Sequence, residues 1–235
     1  MQFSYKKIIR IGCCCVVVML HVHLQAQELK VSRKNKTYWQ QVQADSLNEM
    51  IELKSFVPNI VYELRYATKN NFTKKQLYKN GSQTFLRLQP ARAVAHIQRE
   101  LSAKGYGLKI FDAYRPYSVT KEMWELVHDE RYVANPSKGS GHNRGLAVDL
   151  TIISLDTGKE LDMGTGFDNF TDSAHHDFKQ LPQAILQNRQ LLKESMERYG
   201  FKPLDTEWWH YSWPHDRNYD VLDLKFEKLQ KRVNR

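Results

Sequence analysis

Ser140-Gly141-His142-Asn143-Arg144-Gly145-Leu146-Ala147-Val148-Asp149-Leu150 changes character half-way along. Its first half is polar and glycine-rich, and its second half runs on through Thr151-Ile152-Ile153 as an alternating segment. Leu146, Val148, Leu150 and Ile152 fall on one face, and Ala147, Asp149 and Thr151 on the other. The alternation predicts a strand over 146–153, with Asp149 turned away from its main apolar face. A carboxylate inside an apolar strand is costly unless it is paired, hydrogen-bonded or bound to a metal. Either a salt bridge to Arg144 or a metal ion meets that need. His142, seven residues before the Asp, follows Gly139 and Gly141, where the backbone can bend to aim the ring. A late segment, Glu207-Trp208-Trp209-His210-Tyr211, supplies a second His and a nearby Glu. Two His and one Asp make three protein ligands. That number leaves a fourth position for water, as catalytic zinc sites do and closed structural sites do not.

Outward from this stretch the pattern is mixed. Residues 27–50 are polar, with a weak helical signal from Tyr38 to Met50, and are expected to wrap the surface. Phe56 to Tyr66 is rich in branched and aromatic residues and reads as an early strand ended by Asn70-Asn71. Pro90 to Lys104 is a helix with Val94, Ile97 and Leu101 as its stripe and Gly105 as its stop. A short strand, Leu108 to Phe111, delivers Asp112-Ala113-Tyr114-Arg115-Pro116, and a second helix is expected over Tyr117 to Arg131. Residues 154–181 form a long polar loop with Gly158, Gly164, Gly166 and His175-His176, and loops of that length tend to be functional. A third helix spans Pro182 to Tyr199, and Thr206 to Trp213 is an aromatic strand. Helices and strands do not alternate regularly, and neither a repeat nor a linker interrupts them. The fold class is therefore α+β: a single domain over 27–235, with a central antiparallel sheet and flanking helices.

Residues 1–26 read as an export signal. Lys6, Lys7 and Arg10 precede an apolar run from Ile11 to Leu24, and Ala26 offers a small residue for cleavage. The run is short for a membrane span and carries His21 and His23, so no span is expected once the signal is removed. All three Cys (Cys13, Cys14, Cys15) fall inside it, which excludes disulfides and thiolate ligands from the mature chain. Any metal must then sit on His, Asp or Glu. Without the signal the 35 basic residues become 32 against 26 acidic ones, a net charge of +6. Much of that charge lies in the tail (Lys225, Lys228, Lys231, Arg232, Arg235), which reads as a solvated end and not as a nucleic-acid surface.

The remaining chemistry falls on a few side chains. Aromatic neighbours lower the dielectric around His210 and push up the pKa of a carboxyl group beside it, which suits Glu207 to general-base work. Residues three apart on a regular strand face opposite sides, so Glu207 and His210 need a bend or strand end between them. Arg115 either holds its own turn through Asp112 or stabilises an oxyanion. Asp168, in Met163-Gly164-Thr165-Gly166-Phe167-Asp168, is by pattern alone an ordinary loop acid.

With these residues in view the chain resembles the VanX-type D-alanyl-D-alanine dipeptidases, zinc enzymes of the superfamily that includes D,D-carboxypeptidases and hedgehog-like domains. The resemblance runs from about Phe56 to Trp213. It rests on Leu64-Arg65-Tyr66-Ala67-Thr68-Lys69-Asn70-Asn71-Phe72, Asp112-Ala113-Tyr114-Arg115-Pro116, Ser140 to Gly145 through Asp149-Leu150-Thr151, Leu161-Asp162-Met163-Gly164 through Phe167-Asp168, and Glu207 to Tyr211. The family commonly has glycine where this chain has Ala113. The resemblance implies a hedgehog/D,D-peptidase-like fold and one zinc ion per subunit on His142, Asp149 and His210. It implies Glu207 as catalytic base and Arg115 as the group that stabilises the tetrahedral intermediate. It also implies that Asp168, helped by the segment around Tyr66, holds the substrate's ammonium group, and that Ser140 lies near its carboxylate. The implied substrate is the dipeptide D-Ala-D-Ala, released as free D-alanine. The alternative is a D,D-carboxypeptidase or peptidoglycan endopeptidase with the same zinc chemistry, whose amino side must stay open to a longer chain. A zinc-binding module without turnover is a third reading, disfavoured by the intact Glu207 and Arg115. An export signal places the chain in the periplasm or cell envelope, outside the pool of freshly made precursor, which fits scavenging of wall-derived dipeptide.

Overall fold

The computed structural model describes residues 29–79 and 81–230, and the expected signal at 1–26 lies outside them. In chain order the elements are β1 (Val31–Ser32), α1 (Asn35–Ala44), β2 (Met50–Glu52), α2 (Leu53–Phe56), β3 (Val61–Tyr62), β4 (Phe85–Arg87), α3 (Leu88–Ser102), β5 (Tyr106–Asp112), α4 (Tyr117–Trp124), α5 (Gly141–Arg144), β6 (Ala147–Ser154), α6 (Gln183–Arg198), β7 (Lys202–Leu204), β8 (Glu207–Ser212) and β9 (Val221–Leu222). The central sheet has five strands in the order β3-β5-β6-β8-β7. Four of them are antiparallel, as expected, but β3 joins the edge parallel to β5. Two small pairs stand apart: β2 antiparallel to β4, and β1 parallel to β9.

The alternation in β6 holds, yet both of its faces are covered. Every residue from Ala147 to Ile153 is buried. The helix α3 presses Val94, Ile97 and Leu101 into the core beside β5, while α6 contributes Leu192 and Met196. Asp149 is therefore a carboxylate in the middle of the molecule. It cannot be solvated there and must find partners.

Several expectations fail in detail. The strand expected over 56–66 shrinks to Val61–Tyr62, because Leu53–Phe56 is helical and Asn59 turns through a left-handed φ of 62°. The second helix stops at Trp124 instead of running to Arg131, and Leu126 is exposed beyond it. The segment 27–50 does more than wrap the surface: Tyr38 and Met50 are buried, and the Tyr38 hydroxyl accepts from the Met50 amide. In the basic tail Lys225 and Lys228 are exposed, but Phe226 and Leu229 are buried, with Phe226 packed on Tyr78, Phe85 and Tyr114. Among the described residues no helix is long and apolar enough to cross a membrane.

Candidate metal centre and active site

Three adjacent strands set the frame. Asp149 on β6 is paired across the sheet with Asp112 on β5 and with His210 on β8. The fourth contributor, His142, comes from the single-turn helix α5 packed over them. Ser140 caps that helix: its Oγ accepts from the Asn143 amide at 3.1 Å, and the Asn143 side chain accepts from the Ser140 amide. Gly145 closes it at φ 70°, a left-handed turn that favours glycine, and Leu146 then enters the sheet.

The ligand atoms converge. His142 Nε2 lies 3.2 Å from His210 Nδ1 and 3.4 Å from an Asp149 oxygen, and His210 Nδ1 lies 2.9 Å from the other Asp149 oxygen. Metal–ligand bonds of about 2.0–2.1 Å in a tetrahedral array would set ligand atoms about 3.3 Å apart, close to all three spacings. Both rings are also fixed from behind. His142 Nδ1–H donates to the Ala113 carbonyl at 2.7 Å, and His210 Nε2 shares a hydrogen bond with Ser212 Oγ at 3.0 Å. The carbonyl can only accept, which puts the His142 proton on Nδ1 and leaves Nε2 a lone pair, and the Ser212 hydroxyl lets His210 take the matching tautomer when a cation sits at Nδ1. Two lone pairs and a carboxylate at these distances suit one shared cation. Among the described residues this is the group of His, Asp and Glu side chains whose ligand atoms cluster in this way.

The electrostatics agree. Burial would raise the Asp149 pKa, but His142 and His210 beside it win and hold the carboxyl well below the ordinary carboxylate range. Burial depresses the His210 pKa, which favours the neutral ring that a ligand must present. Arg144, the alternative partner of Asp149, turns away to the Ser140 and Lys138 carbonyls.

The other expected residues surround this group, and a cavity of about 280 Å³ is lined by Tyr66, Arg115, Ser140, Asp168 and Glu207 together with the three ligands. Arg115 is buried, with Nε and Nη2 on Asp112 at 2.9 and 2.8 Å and Nη2 also 3.7 Å from Asp149. Its two readings are thus compatible, since Asp112 holds the guanidinium and one edge faces the site. The Tyr78 hydroxyl donates to Asp112 at 2.8 Å and completes that anchor. Glu207 is buried with an oxygen 3.9 Å from His210 Nδ1. The bend that this pairing requires is real: β7 pairs Pro203 with Tyr211 but Leu204 with Glu207, so residues 208–210 bulge out. Burial, then Asp149 and Asp168, push the Glu207 pKa well up.

Asp168 closes the opposite end. It sits at φ 62°, accepts from the Tyr66 hydroxyl at 2.9 Å and from the Phe72 amide at 3.3 Å, and burial pushes its pKa up to about 7. Beyond it stands an aromatic wall that the sequence pattern does not disclose. Tyr132 stacks on Phe170 at 4.7 Å, and Phe170 meets Phe72 edge-on at 5.3 Å. Nothing in periodicity ties these three distant residues together.

The family model described as D-ala-D-ala dipeptidase matches residues 46–231. The chain belongs to this peptidase family. The D-alanyl-D-alanine dipeptidase of Escherichia coli is 34% identical over 178 residues, covering 76% of this chain and 91% of that protein. The D-alanyl-D-alanine dipeptidase of Enterococcus faecalis is 35% identical over 190 residues, 70% of this chain and 91% of that protein. Among solved structures, the vancomycin-resistance D,D-pentapeptidase VanY in complex with Zn(II) aligns at 19% identity with a TM-score of 0.36, covering 57% of this chain and 74% of that one.

Proposed function

We propose that this chain is a zinc dipeptidase that hydrolyses D-alanyl-D-alanine to two molecules of D-alanine. The observation that carries this reading is the pairing of an open three-ligand group with a carboxylate, Asp168, across one small cavity. The names of the family and of its relatives supply the substrate. His142, Asp149 and His210 would hold the zinc ion, which would supply Lewis-acid chemistry for the scissile carbonyl and for water. Glu207 takes a proton from the attacking water and hands it to the leaving nitrogen as the C–N bond breaks. A nearby cation favours its ionised form, which burial alone disfavours. Arg115, held by Asp112, donates to the oxygen that gains negative charge when water adds to the carbonyl carbon. Asp168 accepts from the substrate's ammonium group, and Tyr66 fixes its orientation. Ser140 Oγ already accepts from the Asn143 amide, so its own proton is the one that faces the substrate carboxylate.

The basic-then-apolar pattern of residues 1–26 supports export, and an exported dipeptidase acts on dipeptide freed from the wall. Fractionation of cells making the full chain tests that part: a processed protein in the envelope fraction is expected, and an unprocessed cytosolic one removes it. The activity is tested by free D-alanine released from D-Ala-D-Ala by the zinc-loaded protein. No release, with cleavage of a longer muropeptide stem instead, would replace the dipeptidase reading by a carboxypeptidase one.

A further inference from the structure

Asp168 holds a left-handed backbone at φ 62°, a conformation uncommon for a non-glycine residue, so the loop around it must be held from outside. One side chain does much of this. Arg189 on α6 is buried, and its guanidinium reaches back into the loop on all three nitrogens. Nε donates to the Met163 carbonyl at 2.7 Å, Nη2 to the Ser173 carbonyl at 2.8 Å and Nη1 to the His175 carbonyl at 3.1 Å. Among the described residues no carboxylate forms an ion pair with it. The first of these carbonyls precedes Asp168 and the other two follow it, so a single planar group ties both ends of segment 163–175 together. This is the neck of an Ω-type loop, and closing it in advance removes the entropy of finding the closed form. The rest of the loop carries lesser ties: Gly164, at φ 79°, lies under Ile185 and Leu181, and Trp208 Nε1 donates to Thr165 Oγ1 at 2.8 Å.

We propose that Arg189 is the positioning residue for amine recognition: by pinning the neck of the 163–175 loop it holds the Asp168 carboxylate where the substrate's ammonium group must bind. This rests on the reading of Asp168 as the amine partner. Arg189 touches neither substrate nor reacting atoms. Lysine cannot replace it, because a compact ammonium lacks the planar fork that spans three carbonyls. A buried arginine without an acid partner would be a wasteful helix residue if packing were its only task.

The test compares D-Ala-D-Ala with its N-acetyl derivative, which has no ammonium group, in the zinc-loaded parent, Arg189→Lys, Arg189→Gln and Asp168→Ala. Arg189→Gln keeps one amide donor and runs beside Arg189→Lys so that a folding failure of either leaves the comparison standing. For each folded Arg189 variant we expect KM for D-Ala-D-Ala to rise about tenfold with kcat within about twofold, the signature of lost uniform binding. On the acetylated dipeptide kcat/KM should stay within about twofold of the parent, because the lost contact is the one that substrate never made. Backbone amides of residues 165–172 should exchange faster in the Arg189 variants without substrate present. Equal losses on both substrates, or unchanged exchange in the loop, overturn the proposal. If Asp168→Ala itself keeps the parent's preference for the free amine, the reading of Asp168 falls first. If it loses that preference while the Arg189 variants keep it, only the role of Arg189 falls.

Discussion

As the proposed general base, Glu207 faces two opposed demands. Burial beside Asp149 and Asp168 favours its neutral form, whereas a general base must be ionised when water attacks. A divalent cation on the adjacent ligands reverses the balance, so the same burial that would disable the residue tunes it once the metal is bound. Glu207→Gln preserves shape and removes the base. It should lower kcat by about 10²- to 10⁴-fold while zinc content by atomic absorption stays that of the parent, and undiminished turnover would remove Glu207 from the reaction. Asp168 makes a prediction about pH in the metal-free protein. Its folded pKa of about 7 stands above its ordinary 3.8, so the native state holds this proton more tightly than the unfolded chain does. The stability linked to that proton is complete below the lower value and is lost as pH rises through the upper one. Asp168→Asn cannot ionise. In urea unfolding of chelated protein its advantage over the parent should therefore widen from pH 5 to pH 8, and a gap independent of pH would refute the burial account.

At the scale of elements, the site depends on short and irregular pieces more than on long ones. The helix α5 has only four residues and survives by its ends, with the Ser140–Asn143 box at one and Gly145 at the other. A Cβ on Gly145 would lie 2.5 Å from Met50 Sδ and would also have to adopt the left-handed backbone. Gly145→Ala should cost about 1–2 kcal/mol from the backbone alone, read as a lowered urea midpoint, and a neutral result would show that the turn can relax. These pieces also mark where the sequence is informative. The period of two in β6 shows Asp149, and a glycine pair beside a His shows that the backbone bends there. The bulge in β8 is invisible to such reasoning, because a period of two cannot show where it is interrupted; only the demand that Glu207 and His210 share a side calls for it. The aromatic run before Tyr66 misleads for a related reason. Its side chains suit a strand, but Asn59 breaks the chain and Phe56 ends a helix, so tertiary packing overrides propensity. Arg189 reads in sequence as one more cation on an amphipathic helix, since nothing local reveals that its fork meets three carbonyls.

Across the whole molecule the three proposed ligands come from separate elements: His142 from α5, Asp149 from β6 and His210 from β8. None is near another in an unfolded chain except His142 and Asp149, so a metal that needs all three binds the native state almost alone. Binding free energy then adds to folding free energy. With free zinc at 100 times its dissociation constant the gain is about 2.7 kcal/mol. For a chain of this size each kcal/mol moves Tm by about 2–4 °C, so chelation should lower Tm by about 5–11 °C. The shift should grow with the logarithm of free zinc and vanish in His210→Ala, which removes one ligand. Ser212→Ala should fall between them, because it leaves the ligand in place and loosens only its outer hydrogen bond, a change worth about 10- to 100-fold in metal affinity. A Tm that ignored chelator in the parent would mean that the three side chains form a closed hydrogen-bonded cluster satisfied without a cation. The distances of 2.9, 3.2 and 3.4 Å would then reflect shared protons instead of a shared metal.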